Sequence, residues 1–255
     1  MNETIKNPIG RPITLQVMGW VLLIALLLSF SVLYAKTEDP ASEDPASEDP
    51  ASAEAQELVN KARLSFQSLL RDPNMTWFRD HLKDAKGVLI VPQLLKAAFF
   101  VGGSGGSGVL LARNEKTGEW SEPAFYTLGS GSFGLQFGAE ASEVVLLVMT
   151  PRGVEALLTS TLKLGGDVSV AIGPVGGGVQ GATANLSADI LSFARSKGLF
   201  AGISLEGAVV AARDDWNNAY YGKAVRPLDI LINRSVSNSH SAELRATVGK
   251  AVDGK

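Results

Sequence analysis

The chain has no cysteine in its 255 residues. That excludes disulfides, thiolate metal sites, a cysteine nucleophile and a lipidated N-terminal cysteine. Histidine is almost absent too, with only His81 and His240, too few for a histidine-rich metal centre. Neither sign of charge dominates. The net charge is −3, and it is unevenly spread: residues 1–37 sum to +2, residues 38–52 to −6 and residues 53–255 to +1. The body of the protein therefore lacks the basic excess of a nucleic-acid binder. A chain of this length accommodates one domain of about 200 residues plus accessory segments, large enough for a core without covalent staples.

Two N-terminal features stand out. Ile13–Tyr34 contains no charged residue, and twenty-two helical residues span about 33 Å, enough for a bilayer core. Lys6 and Arg11 precede it, so the positive-inside rule leaves the N-terminus in the cytoplasm and carries the remainder outside. A cleaved signal peptide over residues 1–35 and a retained transmembrane anchor both fit. Glu-Asp-Pro-Ala-Ser then occurs three times in register, at 38–42, 43–47 and 48–52. Proline at every fifth position and six carboxylates cannot form a core, so residues 36–53 read as an extended, Pro-rich acidic linker. The expected location is extracytoplasmic, periplasmic or secreted.

Residues 54–255 read as the folded domain. Leu58, Ala62, Phe66 and Leu69 fall on one face of a helix over 53–71, with Ser52 as its cap. A second helix is expected over Asp72–Lys86, capped by Asp72 with Pro73 at its first position. From Gly87 the texture changes to short apolar runs punctuated by glycine. Strands are expected at Val88–Val91, Ala97–Val101, Val109–Ala112, Ala124–Leu128, Ser132–Phe137, Val144–Met149, Asp167–Ile172, Ile190–Ala194, Leu199–Leu205 and Ala208–Ala211. Asn114–Gly118 reads as a hairpin turn. Further helices fit Pro151–Ser160, Asp214–Tyr221 stopped by Gly222, and Ala242–Val248. The expected fold class is α+β, a glycine-rich, mainly antiparallel sheet closing on itself like a barrel, with flanking helices.

Two catalytic motifs fail on context. Gly103–Gly108 matches G-x-G-x-x-G, but Val-Leu-Leu-Ala-Arg comes directly after it, a strand where a dinucleotide site needs a helix. The same stretch gives G-x-S-x-G around Ser104, without the strand–turn–helix elbow or a histidine in a recognisable motif. Glu140, Glu143, Asp167, Asp189, Glu206, Asp214 and Asp215 show no metal or glycosidase spacing. Basic residues in 113–116 and 195–197 read as solvated turns. No catalytic residue, metal or cofactor is expected.

Read in order, several glycine-rich segments resemble the SYLF family of lipid-binding modules. They are Ala85–Pro92, Lys96–Gly103, Gly105–Arg113, Gly118–Pro123, Gly173–Gly176, Ser196–Gly207 and Tyr220–Gly222, so the likeness runs from about Glu54 to the C-terminus. The resemblance implies non-enzymatic binding of membrane phospholipid, phosphoinositide-like and anionic, partly through an amphipathic N-terminal helix. On that reading Leu58, Phe66 and Leu69 insert, while Lys61, Arg63, Lys83, Lys86 and Lys96 meet headgroups. Relatives often carry arginine after Gly-Pro-x-Gly, where this chain has Gly177. Actin, bound by some relatives, is not expected as a partner outside the cytoplasm. The alternative is an envelope scaffold with a protein partner and no lipid specificity.

Overall fold

The computed structural model describes residues 49–98, 101–133, 138–175, 187–196, 199–201 and 205–252. The apolar segment Ile13–Tyr34, the first two acidic repeats, residues 134–137 and Gly176–Gly177 lie outside them. Among the described residues no helix is long and apolar enough to cross a membrane.

Helix α1 spans Pro50–Arg71, three residues longer at its start than its apolar pattern suggests. The cap is Asp49 and not Ser52: Asp49 Oδ1 accepts from Ala51 N at 3.0 Å, and Pro50 sits where a missing N–H costs nothing. The third repeat is therefore the beginning of the helix, and the linker ends before it. Asp72 stops α1 and caps the adjoining turn, accepting from Asn74 N at 2.8 Å. The single second helix expected over 72–86 is instead a 3₁₀ turn at Pro73–Met75, helix α2 at Thr76–His81 and a second 3₁₀ turn at Leu82–Asp84.

The sheet is built from longer strands than the glycine punctuation suggests: β1 Gly87–Ala98, β2 Val101–Ala112, β3 Ala124–Phe133 and β4 Gly138–Val148. Val88–Val91 and Ala97 belong to one strand. Its register slips by one residue against both neighbours around Pro92–Gln93. That bulge is where a proline lacking an N–H is tolerated, so β1 bends there instead of stopping. Then come α3 (Pro151–Leu157), β5 (Thr161–Lys163), β6 (Val170–Ile172), β7 (Ile190–Ser196), β8 (Leu199–Ala201), β9 (Val209–Ala212), α4 (Asp214–Tyr221), α5 (Pro227–Leu231) and α6 (Ala242–Val252). Thr150 caps α3 as its sequence position suggests, accepting from Gly153 N at 3.1 Å, and Gly222 ends α4 at φ 66°.

The strand order is β5-β9-β3-β2-β1-β4-β7-β6, antiparallel except for β6 beside β7, with β8 also on β7. Laid flat, eight strands would separate β5 from β6 by about 34 Å. Only residues 164–169 join those two strands, a reach of about 24 Å at most. The sheet must curl, and Leu164 and Val168 bridge within that turn. The result is the mainly antiparallel half-barrel, flanked by helices, that the strand pattern suggests.

Each face of the sheet has a core. Outside, Leu58, Phe66 and Leu69 of α1, Phe78 of α2 and Trp216 of α4 cover Ile90, Val109, Phe125, Val145 and Phe193. Inside the curl, Leu89, Tyr126, Leu128, Leu146 and Val210 pack together under α3 and α5. Tyr126 is fully enclosed and donates to Leu157 O at 2.6 Å, and burial pushes its phenol pKa well above the usual range.

Candidate functional site

The residues expected to contact lipid do not form one surface. Leu58, Phe66 and Leu69 are 7%, 0% and 1% exposed; the apolar face of α1 is occupied by the sheet, which corrects their expected role as insertion residues. Burying each stabilises the fold by about 1.5–3 kcal/mol, so the helix has no reason to turn that face outward. Arg63 lies at the flank of that face, where its Nε is 3.3 Å from Glu243 Oε2 and ties α1 to α6. Lys61 pairs with Glu57 at 2.7 Å along the helix surface. Lys86 precedes β1 and Lys96 lies near its far end, so about 30 Å of strand separates them.

What the fold does bring together is a basic corner at the start of β1. In the β1–β2 ladder Gly87 lies opposite Ala112, so Lys86 meets Arg113. Arg113 N donates to Lys86 O at 2.8 Å, and Arg113 Nη1 donates to Lys83 O. The turn after β2 is held by Asn114 Oδ1, which accepts from Lys116 N at 2.9 Å and Thr117 N at 3.2 Å. Gly118 completes it at φ 75°. Lys83, Lys86, Arg113 and Lys116 thus share a corner with Asp84 and Glu115, and Lys86 Nζ meets Glu115 Oε1 at 2.7 Å. Cations exceed carboxylates there. Arg113 and Lys116, read from sequence as a solvated turn, are the members that sequence reasoning missed. Pairing the two hairpin strands in register would have found them.

A second concave feature lies at the other end of the sheet. A groove of about 700 Å³ runs between α1 and the bulge of β1, with Lys61, Leu64, Pro92, Gln93, Glu143 and Arg195 on its walls. It is braced by an ion pair between Arg195 and Glu143, and Ser65 Oγ donates to Glu143 Oε2 at 2.8 Å.

The motifs set aside as catalytic have structural partners. Gly103–Gly108 lies inside β2, and Ser104 Oγ is 2.8 Å from Ser130 Oγ on β3. His81 stacks on Trp77 with ring centroids 3.9 Å apart, and its Nδ1 is 2.8 Å from Trp77 O. His240 Nδ1 is 3.4 Å from Tyr220 OH. Asp189 is 7% exposed and knots three segments. It accepts from Thr150 Oγ1 at 2.6 Å, Ser169 Oγ at 2.8 Å and Ser169 N at 3.0 Å. The Thr150 hydrogen bond is the largest influence holding its carboxyl below the usual range.

Residues 129–251 match the Ysc84 family, described as Las17-binding protein actin regulator. Over those residues the chain is similar to this family. It is 39% identical over 149 residues to bovine (Bos taurus) SH3 domain-containing YSC84-like protein 1, covering 58% of this chain and 43% of that protein. The human (Homo sapiens) protein of the same name is 36% identical over 162 residues, covering 63% and 47%. LAS seventeen-binding protein 3 of Saccharomyces cerevisiae is 38% identical over 147 residues, covering 56% and 32%. The chain thus spans less than half the length of these curated relatives. The yeast relative is named for binding LAS seventeen, and none of these names states a catalytic activity. The family description runs against the expectation that actin is not a partner.

Proposed function

We propose that this domain binds anionic phospholipid, without catalysis, through the basic corner formed by Lys83, Lys86, Arg113 and Lys116. The observation that carries the reading is their convergence: two segments about thirty residues apart bring four cations to one end of the two central strands. Cations near an anionic membrane contribute about 1 kcal/mol each, and salt weakens the attraction. The partner on this reading is the phosphate-rich headgroup layer. Attachment through these cations is peripheral and reversible.

The setting proposed is extracytoplasmic, with Ile13–Tyr34 as export signal or anchor and the acidic repeats as spacer. A reporter fused after Lys255 should be active only outside the cytoplasm; cytoplasmic activity would remove that setting. For lipid binding, residues 49–255 are floated with phosphatidylcholine vesicles, with and without phosphatidylserine. Binding should require the anionic lipid and fall with salt. Changing Lys83, Lys86 and Lys116 to glutamate should abolish it, and unchanged flotation of that variant would refute the proposal.

A second reading has its own support, the family description as a Las17-binding actin regulator. It places a cytoskeletal protein surface where the first reading places lipid. Co-sedimentation with actin filaments separates the two: retention in the filament pellet without lipid favours it.

A further inference from the structure

Beyond the edge of α1, strands β1–β4 run on as a four-stranded arm whose two faces differ. Leu95 of β1 lies in register with Gly105 of β2 and Ala141 of β4, and Gly105 with Gly129 of β3. The next row is Ala97, Gly103, Gly131 and Ala139. Residues 103 and 105 share their face of β2 with Val109 and Leu111, which lie under the helices. The extra residue of the Pro92–Gln93 bulge turns Leu95 to that same side. The opposite face of the arm carries Lys96, Ser104, Ser130 and Glu140. One face is polar and the other has no polar side chain, the alternation of a sheet whose second face is meant to be covered.

That face is bare. Leu95 is 54% exposed, and Ala97, Gly103, Gly105, Gly131, Ala139 and Ala141 are exposed with it. Leu64 of α1, 56% exposed, stands at its margin on the groove beside α1. The fold itself does not demand glycine there. A Cβ on Gly105 or Gly131 would meet nothing within 4 Å, and on Gly103 or Gly129 it would meet only a carbonyl oxygen at 3.6 Å, an ordinary contact. None of the four has a positive φ. Glycine weakens a strand interior, and one of its uses there is to admit another backbone at close range.

We propose that two copies of this chain associate through this face about a two-fold axis. The face is self-complementary: the Leu95 side chain projects about one strand spacing from the hollow left by four glycines. A two-fold rotation sets each Leu95 over the glycines of the other copy, as an isologous interface requires. The two rows themselves carry no charge, and Glu54, Glu57 and Lys61 of α1 border them beside Leu95 and Gly105. Four strands at about 4.8 Å and about 13 Å of strand length give roughly 250 Å² per copy. The total over both copies, about 500 Å², falls well below the roughly 1,200 Å² of a stable interface, so the dimer is weak and reversible.

A chain without cysteine allows this to be read directly. Ala97→Cys and Ala139→Cys place thiols on the bare face, and Lys96→Cys places one on the polar face of the same strand. Each full-length variant is oxidised with copper phenanthroline over a range of protein concentrations. Ala97→Cys and Ala139→Cys should give several-fold more covalent dimer than Lys96→Cys, with a yield that rises with concentration. Adding Gly131→Leu should abolish that dimer while leaving the melting temperature unchanged, because the Cβ position is open. Equal yields from both faces, no dimer from either bare-face cysteine, or dimer persisting with Gly131→Leu would each overturn the proposal. A melting temperature lowered by several degrees in the Gly131→Leu chain would overturn it as well, by giving that glycine a role in the fold.

Discussion

Replacing Gly106 by alanine adds one carbon to β2, and that carbon has no room. It would lie 2.2 Å from Gln93 O and 3.1 Å from Leu94 Cα, both backbone atoms of the β1 bulge. A carbon and a carbonyl oxygen need more than about 3 Å, so one strand must move by about 1 Å. Overpacking of this kind costs about 1–3 kcal/mol. The neighbouring Gly105 is the control, since its Cβ would meet nothing within 4 Å. Alanine there reduces the freedom of the unfolded chain and should stabilise by about 0.4–1 kcal/mol. For a domain of about 200 residues, 1 kcal/mol moves the melting temperature by about 2–4 °C. Gly106→Ala should therefore melt about 2–12 °C below the parent, while Gly105→Ala melts at or slightly above it. Calorimetry on both variants, with nucleotide titration of each, decides the matter. Equal melting temperatures, or a stable Gly106→Ala chain that has lost nucleotide binding, would refute the steric argument and restore a phosphate-binding role for the glycines.

Three further outcomes are expected. Asp189 has a folded pKa below its unfolded value near 3.9, so its stabilisation is present above that value and lost as pH falls through the folded pKa; Asp189→Asn should destabilise the protein at neutral pH and flatten acid unfolding below about pH 4, and parallel acid titration curves would contradict this. Deleting residues 38–48 should leave the melting temperature unchanged, whereas deleting 38–52 removes the Asp49 cap and the first turn of α1 and should cost about 1–2 kcal/mol. Glu122, whose side chain is 6% exposed, pairs with Arg245 Nη1 at 2.9 Å; Arg245→Ala should cost about 2–3 kcal/mol, less than a fully buried pair because Arg245 is 39% exposed, and adding Glu122→Gln should recover part of it in a double-mutant cycle.

Local chemistry made the helices legible. The apolar spacing of α1, the caps at Asp72 and Thr150, and the stop at Gly222 act over a few residues and read the same in sequence and structure. The arm was harder, because Pro92 and the glycines of β2 are breakers by local preference. Register with β4 and β3 overrides that preference, and no short window carries the information. The site suffered from a different ambiguity. An amphipathic helix presents the same pattern whether its apolar face meets a sheet or a bilayer, and in α1 the sheet takes Leu58, Phe66 and Leu69. Lys83 and Lys86 were legible as exposed cations, but Arg113 joins them only through the β1–β2 pairing. Lys61, Arg63 and Lys96 were equally visible and lie elsewhere.

The strand order also sets the smallest piece of this protein that can exist by itself. The stretch matching the family, residues 129–251, begins inside β3. In the sheet, β3 and β4 are neighbours only through β2 and β1, which that stretch lacks along with α1. A gene fragment cut at those limits would encode the rim of the half-barrel without its middle, leaving β3 and β4 each with an unpaired edge and the outer core uncovered. Such a fragment should be insoluble when expressed alone. Supplying residues 49–128 as a second polypeptide should rescue it, since β1 and β2 would then complete the sheet from outside the chain.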